Sequence, residues 1–157
     1  MEAMEYIENR TYDEIQVGDS ASLVRTLKPQ DIQLFAIMSG DVNPSHVDPE
    51  YARSSMFREV IAHGMWGGAL ISTVLGTQFP GPGTIYVDQT LHFSRPVGLG
   101  DTITVMVTAT RKFDHNHHIL FDCVCTNQDG QKVIGGTAEV LAPTEKVKRH
   151  KADLPEF

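Results

Sequence analysis

The chain has 157 residues, of which 41% are apolar and 21% charged, a size and balance that fit one ordinary globular domain and exclude disordered, collagen-like and membrane compositions. Its formal charge of −7 excludes general nucleic-acid binding, which needs a basic face to neutralise phosphates. The two cysteines, Cys123 and Cys125, would face the same side of one strand, so no disulfide framework is expected. The opening MEAMEYIENR has neither the basic start nor the apolar run of a signal peptide, and no stretch reaches about 18 uninterrupted apolar residues; a cytoplasmic protein without membrane attachment is expected.

Residues 1–11 and the polar, charged tail 143–157 read as flexible ends, leaving a single domain over 12–142. SASLVRTL, after the Gly18-Asp19 turn, alternates as a first strand. Pro29 then opens a helix, QDIQLFAIMS, that stops at Gly40. From Gly40 to His63 the pattern is irregular, with one short helical turn near Glu50 to Ser54 in which Asp48 caps and Pro49 takes the first position. A structured loop of this length in a compact domain usually serves function. HGMWGGALISTVLGTQF is uncharged and apolar on nearly every side, which predicts a central helix buried all round, with small residues letting strands approach closely. Four strand-like runs follow: TIYVDQTLHFSRPV, DTITVMVTATRKF, HHILFDCVCTNQ and QKVIGGTAEVLA, the last two joined at Asp129-Gly130. With the first strand this makes five. Val17-Gly18-Asp19-Ser20 is echoed at Leu99-Gly100-Asp101-Thr102, each a turn leading into a strand.

The chemistry-bearing segment is Ser39-Gly40-Asp41-Val42-Asn43-Pro44-Ser45-His46. It sets a carboxylate and an imidazole five residues apart in one turn-rich stretch, so both can face one pocket. An aspartate is ordinarily ionised at neutral pH and a histidine ordinarily titrates near it, the combination that lets one group take a proton while another gives one. The structural alternative is that these are turn and capping residues.

The chain resembles the MaoC-like (R)-specific enoyl-CoA hydratases in an aromatic residue, Phe35, then Ser39-Gly40-Asp41-Val42-Asn43-Pro44-Ser45-His46, then Ala62-His63-Gly64-Met65. The resemblance runs from about Tyr12 to Ala142. It implies an α+β hot-dog fold, a five-stranded antiparallel sheet wrapped around a central helix, with 29–63 as an overhang above the acyl pocket. Five strands around one helix also leave a sheet edge open, which a homodimer or higher homo-oligomer would cover. The implied activity is hydration of a trans-2-enoyl-CoA to the (R)-3-hydroxyacyl-CoA, or the reverse dehydration, with acyl-CoA as substrate and no cofactor. By resemblance Asp41 and His46 hold the water and shuttle its proton. The Gly64 N–H, at the start of the central helix, donates to the thioester oxygen.

Asn43 is expected to support the loop and Ser39 to pack at a helix end. Met65, Trp66, Leu70 and Phe57 are expected to wall the acyl pocket. Arg95 is a candidate for CoA phosphates or a solvated strand-end residue. His63 could contact ligand, yet its place in the motif reads as structural. His115, His117 and His118 read as a polar hairpin turn and not a metal site. The competing activity is an acyl-CoA thioesterase, or a non-catalytic acyl-CoA-binding protein; against the first, the central helix carries no Asp or Glu.

Overall fold

A computed structural model describes residues 5–156. Strands β1 (Tyr6–Glu8) and β8 (Lys148–His150) form a two-stranded ribbon. The remaining strands, β2 (Ser20–Thr26), β3 (Ile85–Gln89), β4 (His92–Phe93), β5 (Thr102–Phe113), β6 (His118–Thr126) and β7 (Lys132–Leu141), form one sheet in the order β2-β5-β6-β7-β3. Every pairing is antiparallel, and β4 also pairs with β7. The helices are α1 (Pro29–Ser39), α2 (Pro44–Val47), α3 (Pro49–Arg53) and α4 (Gly64–Thr77). Among the described residues no helix is long and apolar enough to cross a membrane.

The sheet curls around α4 because alternate residues of its strands are apolar. Ile103, Val105, Val107 and Ala109 of β5 and Ile119, Phe121, Cys123 and Cys125 of β6 are all buried, as are Trp66, Leu70, Ile71, Val74 and Leu75 of α4. They form one cluster, in the arrangement that the resemblance implies. The inward-facing cysteines are free, and burial pushes the Cys123 thiol up to about 11 and that of Cys125 to about 12.

Glycines set how close strands come to α4. A Cβ at Gly67 would overlap the Ile134 side chain, one at Gly68 would lie 3.3 Å from Leu91, and one at Gly64 3.2 Å from the Phe93 ring. The helix is not buried all round, however. Met65, Ala69, Ser72 and Gly76 lie exposed, the first three of them beside Tyr86 and Val87 of β3.

The predicted strand TIYVDQTLHFSRPV is broken at Thr90-Leu91 into β3 and β4, both lying along β7. The paired turns of the sequence echo share one geometry. Asp19 accepts the Gln16 N–H and Asp101 the Gly98 N–H, with Gly18 (φ 99) and Gly100 (φ 87) in the left-handed region.

The chain ends differ from expectation. Instead of trailing free, 6–8 and 148–150 pair in register, and buried Asn9 ties them to the body: its side-chain amide donates to the carbonyls of Pro82 and Glu145 and its side-chain oxygen accepts the Val147 N–H. Lys146 donates to the Asn9 carbonyl and to Glu14. The reason sequence reading missed this is that the ribbon is held by main-chain pairing and one amide rather than by an apolar face. Residues 1–4 and 157 lie outside the described residues.

The clamp has a pH signature. The Thr11 N–H, and after it the Lys146 ammonium, lower the Glu14 carboxyl from 4.5 to about 2. A group depressed on folding stabilises above its ordinary value and loses that contribution as pH falls toward the folded one. The melting temperature of Glu14→Gln is therefore expected to fall less steeply than wild type between pH 4.5 and about 2. Parallel melting curves across that window would show that the clamp contributes nothing.

Candidate active site

Helix α1 ends because Gly40 adopts φ 80, with its N–H donating to the Ala36 carbonyl. Ser39 then links helix to loop, its hydroxyl donating to the Phe35 carbonyl (2.7 Å) and accepting the Asp41 N–H (3.1 Å). Asp41 Oδ1 accepts the Asn43 N–H (3.2 Å). The Asn43 side chain caps α2 by accepting the Ser45 N–H (3.0 Å), with Pro44 at the first helical position. The turn residues that support the loop are thus hydrogen-bonded at every step. Helix α2 was not expected from the sequence, although an Asn cap followed by Pro is its usual signal. Asp48, as expected, caps α3, accepting the N–H groups of Glu50 and Tyr51.

The His46 Nδ1–H donates to the Ile61 carbonyl at 2.8 Å. A carbonyl only accepts, so Nδ1 carries a hydrogen, and in the neutral ring the lone pair is on Nε2. By the same logic His63, whose Nε2–H donates to the Asp41 carbonyl at 2.9 Å, carries its lone pair on Nδ1, a buried atom without a partner. The two imidazoles stack with centroids 4.1 Å apart. One donor atom each from Asp41, His46 and His63 can be chosen so that all lie within 4.8 Å of one another.

That trio makes a poor metal site. Two of its four ring nitrogens donate to carbonyls, and His63 Nδ1 is shut off from solvent, leaving one carboxylate and one ring nitrogen where a closed site needs about four ligands. Residues 115–117 sit in the turn between β5 and β6, with His117 at φ 61, and His118 opens β6, where it bonds to Glu139.

Two adjoining cavities meet at His63, Gly64 and Phe93. One, of about 420 Å³, is lined by His46, Met56, Phe57, Trp66, Arg95, Val97 and Ile134. The other, of about 440 Å³, is lined by Phe35, Ser39, Asp41 and Met65. The two members of the predicted pair therefore open onto neighbouring spaces beside the first residue of α4. That residue's N–H has no acceptor within the helix and stands at the positive end of its dipole. Of the predicted walls, Phe57 and Trp66 line the His46 side and Met65 the Asp41 side. Leu70 lines neither and is buried in the core. Phe93 and Ile134, which sequence reading did not single out, come from strands far along the chain, where only the fold brings them to the helix start.

A family model described as "MaoC like domain" matches residues 14–124. The chain is 46% identical to an (R)-specific enoyl-CoA hydratase of Rhodospirillum rubrum over 132 residues, which cover 84% of this chain and 91% of that one. It is 35% identical to a 3-hydroxybutyryl-CoA dehydratase of Methylorubrum extorquens over 90% of this chain and 87% of that one. Among solved structures, the unliganded R-hydratase PhaJ1 of Pseudomonas aeruginosa superposes with a TM-score of 0.93 at 44% identity, covering 97% of each chain.

Proposed function

The chain belongs to the MaoC-like dehydratase family, and on that premise we propose that it is a hydro-lyase that adds water to trans-2-enoyl-CoA to give the (R)-3-hydroxyacyl-CoA, and catalyses the reverse dehydration. The relative concentrations of the two thioesters set the direction of net flow.

The observation that carries this reading is the meeting of Asp41 and His46 beside the start of α4. Water held between the Asp41 carboxylate and the His46 Nε2 lone pair is placed to add its hydroxyl to C3, and the pair passes a proton to C2. Between those events negative charge gathers on the thioester oxygen, where the Gly64 N–H donates to it and the helix dipole favours it. The apolar walls Phe57, Trp66, Val97 and Ile134 suit an acyl chain, and Arg95 at the same cavity suits a phosphate of CoA. Ser39 and Asn43 hold the loop and do not react.

The open edge of β3 supports a dimer. Ile85, Tyr86 and Val87 are 57%, 41% and 48% exposed there, continuous with the uncovered stripe of α4, and joining two such edges would cover both. Sedimentation is expected to give twice the 17.4 kDa of the chain; a monomer at micromolar concentration would remove this part of the reading.

The activity is tested by following loss of the enoyl-thioester absorbance with crotonyl-CoA and longer enoyl-CoAs, with the product offered to dehydrogenases specific for each 3-hydroxyacyl enantiomer. Turnover to the (R) product is expected. No turnover, or the (S) product, would overturn the assignment.

A further inference from the structure

On the hydratase reading above, we infer that His63 is a positioning residue that fixes Asp41 and His46 relative to each other. Its ring lies between that of His46, 4.1 Å away and tilted 27°, and that of Phe35, 4.6 Å away and tilted 31°. Its Nε2–H holds the Asp41 carbonyl. One side chain thus supports one member of the pair by contact and the other by hydrogen bond, and it immediately precedes Gly64. With 3% of its surface exposed, it bears on the pair through these neighbours.

Packing alone does not account for an imidazole in this slot. A buried polar atom without a partner is unfavourable, and His63 Nδ1 is one, the only side-chain case among the described residues. A phenyl ring would fill the same space between Phe35 and His46 with no such atom. What the imidazole adds is the bond to Asp41. The other bonds described for Asp41, to Ser39 and Asn43, stay within its own loop; His63 is what joins that loop to the base of α4.

The test compares wild type, His63→Phe, His63→Gln, Asp41→Asn and the Asp41→Asn/His63→Phe double variant, with kcat and KM for crotonyl-CoA measured on proteins whose folding is checked by thermal melting. His63→Phe keeps the ring pile and loses the bond; His63→Gln keeps a donor and loses the pile. Since a misplacement of about 1 Å can cost roughly 100-fold in rate, kcat of His63→Phe is expected to fall about 10- to 100-fold with KM within about threefold. His63→Gln is expected to recover part of the loss. The double variant is expected to be no slower than Asp41→Asn, because residues acting as a unit do not lose rate additively. Should His63→Phe not fold, His63→Leu, which likewise lacks the donor, takes its place in the single and double variants with the same expectations. Absence of turnover in wild type would overturn the hydratase reading and this inference with it. Wild-type turnover with kcat unchanged in the His63 variants, or losses that multiply in the double variant, would overturn this inference alone.

Discussion

Asp41→Asn is expected to lower kcat for hydration of crotonyl-CoA by about 100- to 10,000-fold, the usual range for removing one partner of general acid–base catalysis, while leaving the melting temperature within a few degrees. The two halves of this expectation come from different observations. The side chain is exposed and accepts a single long hydrogen bond, from the Asn43 N–H at 3.2 Å, which the amide oxygen of Asn can still accept, so little holds the fold together here. The reaction, by contrast, needs a group that binds and releases a proton, and an amide does neither. His46→Gln is the companion variant. It can keep a donor toward the Ile61 carbonyl but has no ring lone pair, and a loss of similar size is expected. Turnover within about threefold of wild type in Asp41→Asn would remove the acid–base role and force another assignment of the pair.

Gly136→Ala is expected to be the most disruptive single methyl addition in the molecule. A Cβ there would overlap the Thr90 carbonyl oxygen and come within 2.7 Å of its carbon and 3.2 Å of Leu91 Cα. These are main-chain atoms and cannot swing away as the Ile134 side chain could from a methyl group on Gly67. The crossing is also pinned, by the Thr90 N–H to the Thr137 carbonyl at 2.8 Å and the Thr137 N–H to Thr90 Oγ1 at 2.9 Å. Overpacking that forces main chain apart costs about 2–4 kcal/mol, which for a chain of this size lowers the melting temperature by roughly 5–15 °C. Activity should fall as well, because Leu91 and Phe93 follow the displaced segment and sit against Gly68 and Gly64. A melting temperature within about 2 °C of wild type would show that β3 and β4 can lift from β7 freely.

Most of the sheet was legible in the sequence because β2, β5 and β6 alternate in period two over most of their length, and α4 because an uncharged run rich in Gly, Ala and Ser suits a helix wrapped by strands. The site loop was legible for a different reason: Gly40, Asp41, Asn43 and His46 bond mainly within a few residues of one another, so spacing alone places them. What depends on distant parts of the chain was not. The break between β3 and β4 follows from Gly136, more than forty residues later. The terminal ribbon hangs on Asn9, whose partners lie 73 and 136 residues away. The pocket walls show the limit on a smaller scale. Met65 and Trp66 are consecutive on a helix and point about 100° apart, so they line different cavities, and the space between is closed by Phe93, which no local pattern marks.

The sulfhydryls of Cys123 and Cys125 give the molecule a chemical readout of its own integrity. Reagents that alkylate cysteine attack the thiolate, and here both sulfurs are fully enclosed and hold their protons far above neutrality. Labelling of the native protein therefore waits until β6, held between β5 and β7, comes away from its neighbours. The two sites are separated by Val124 alone, so they should become reactive together, and the modification rate measures how often the centre of the sheet opens without any dye, tag or denaturant.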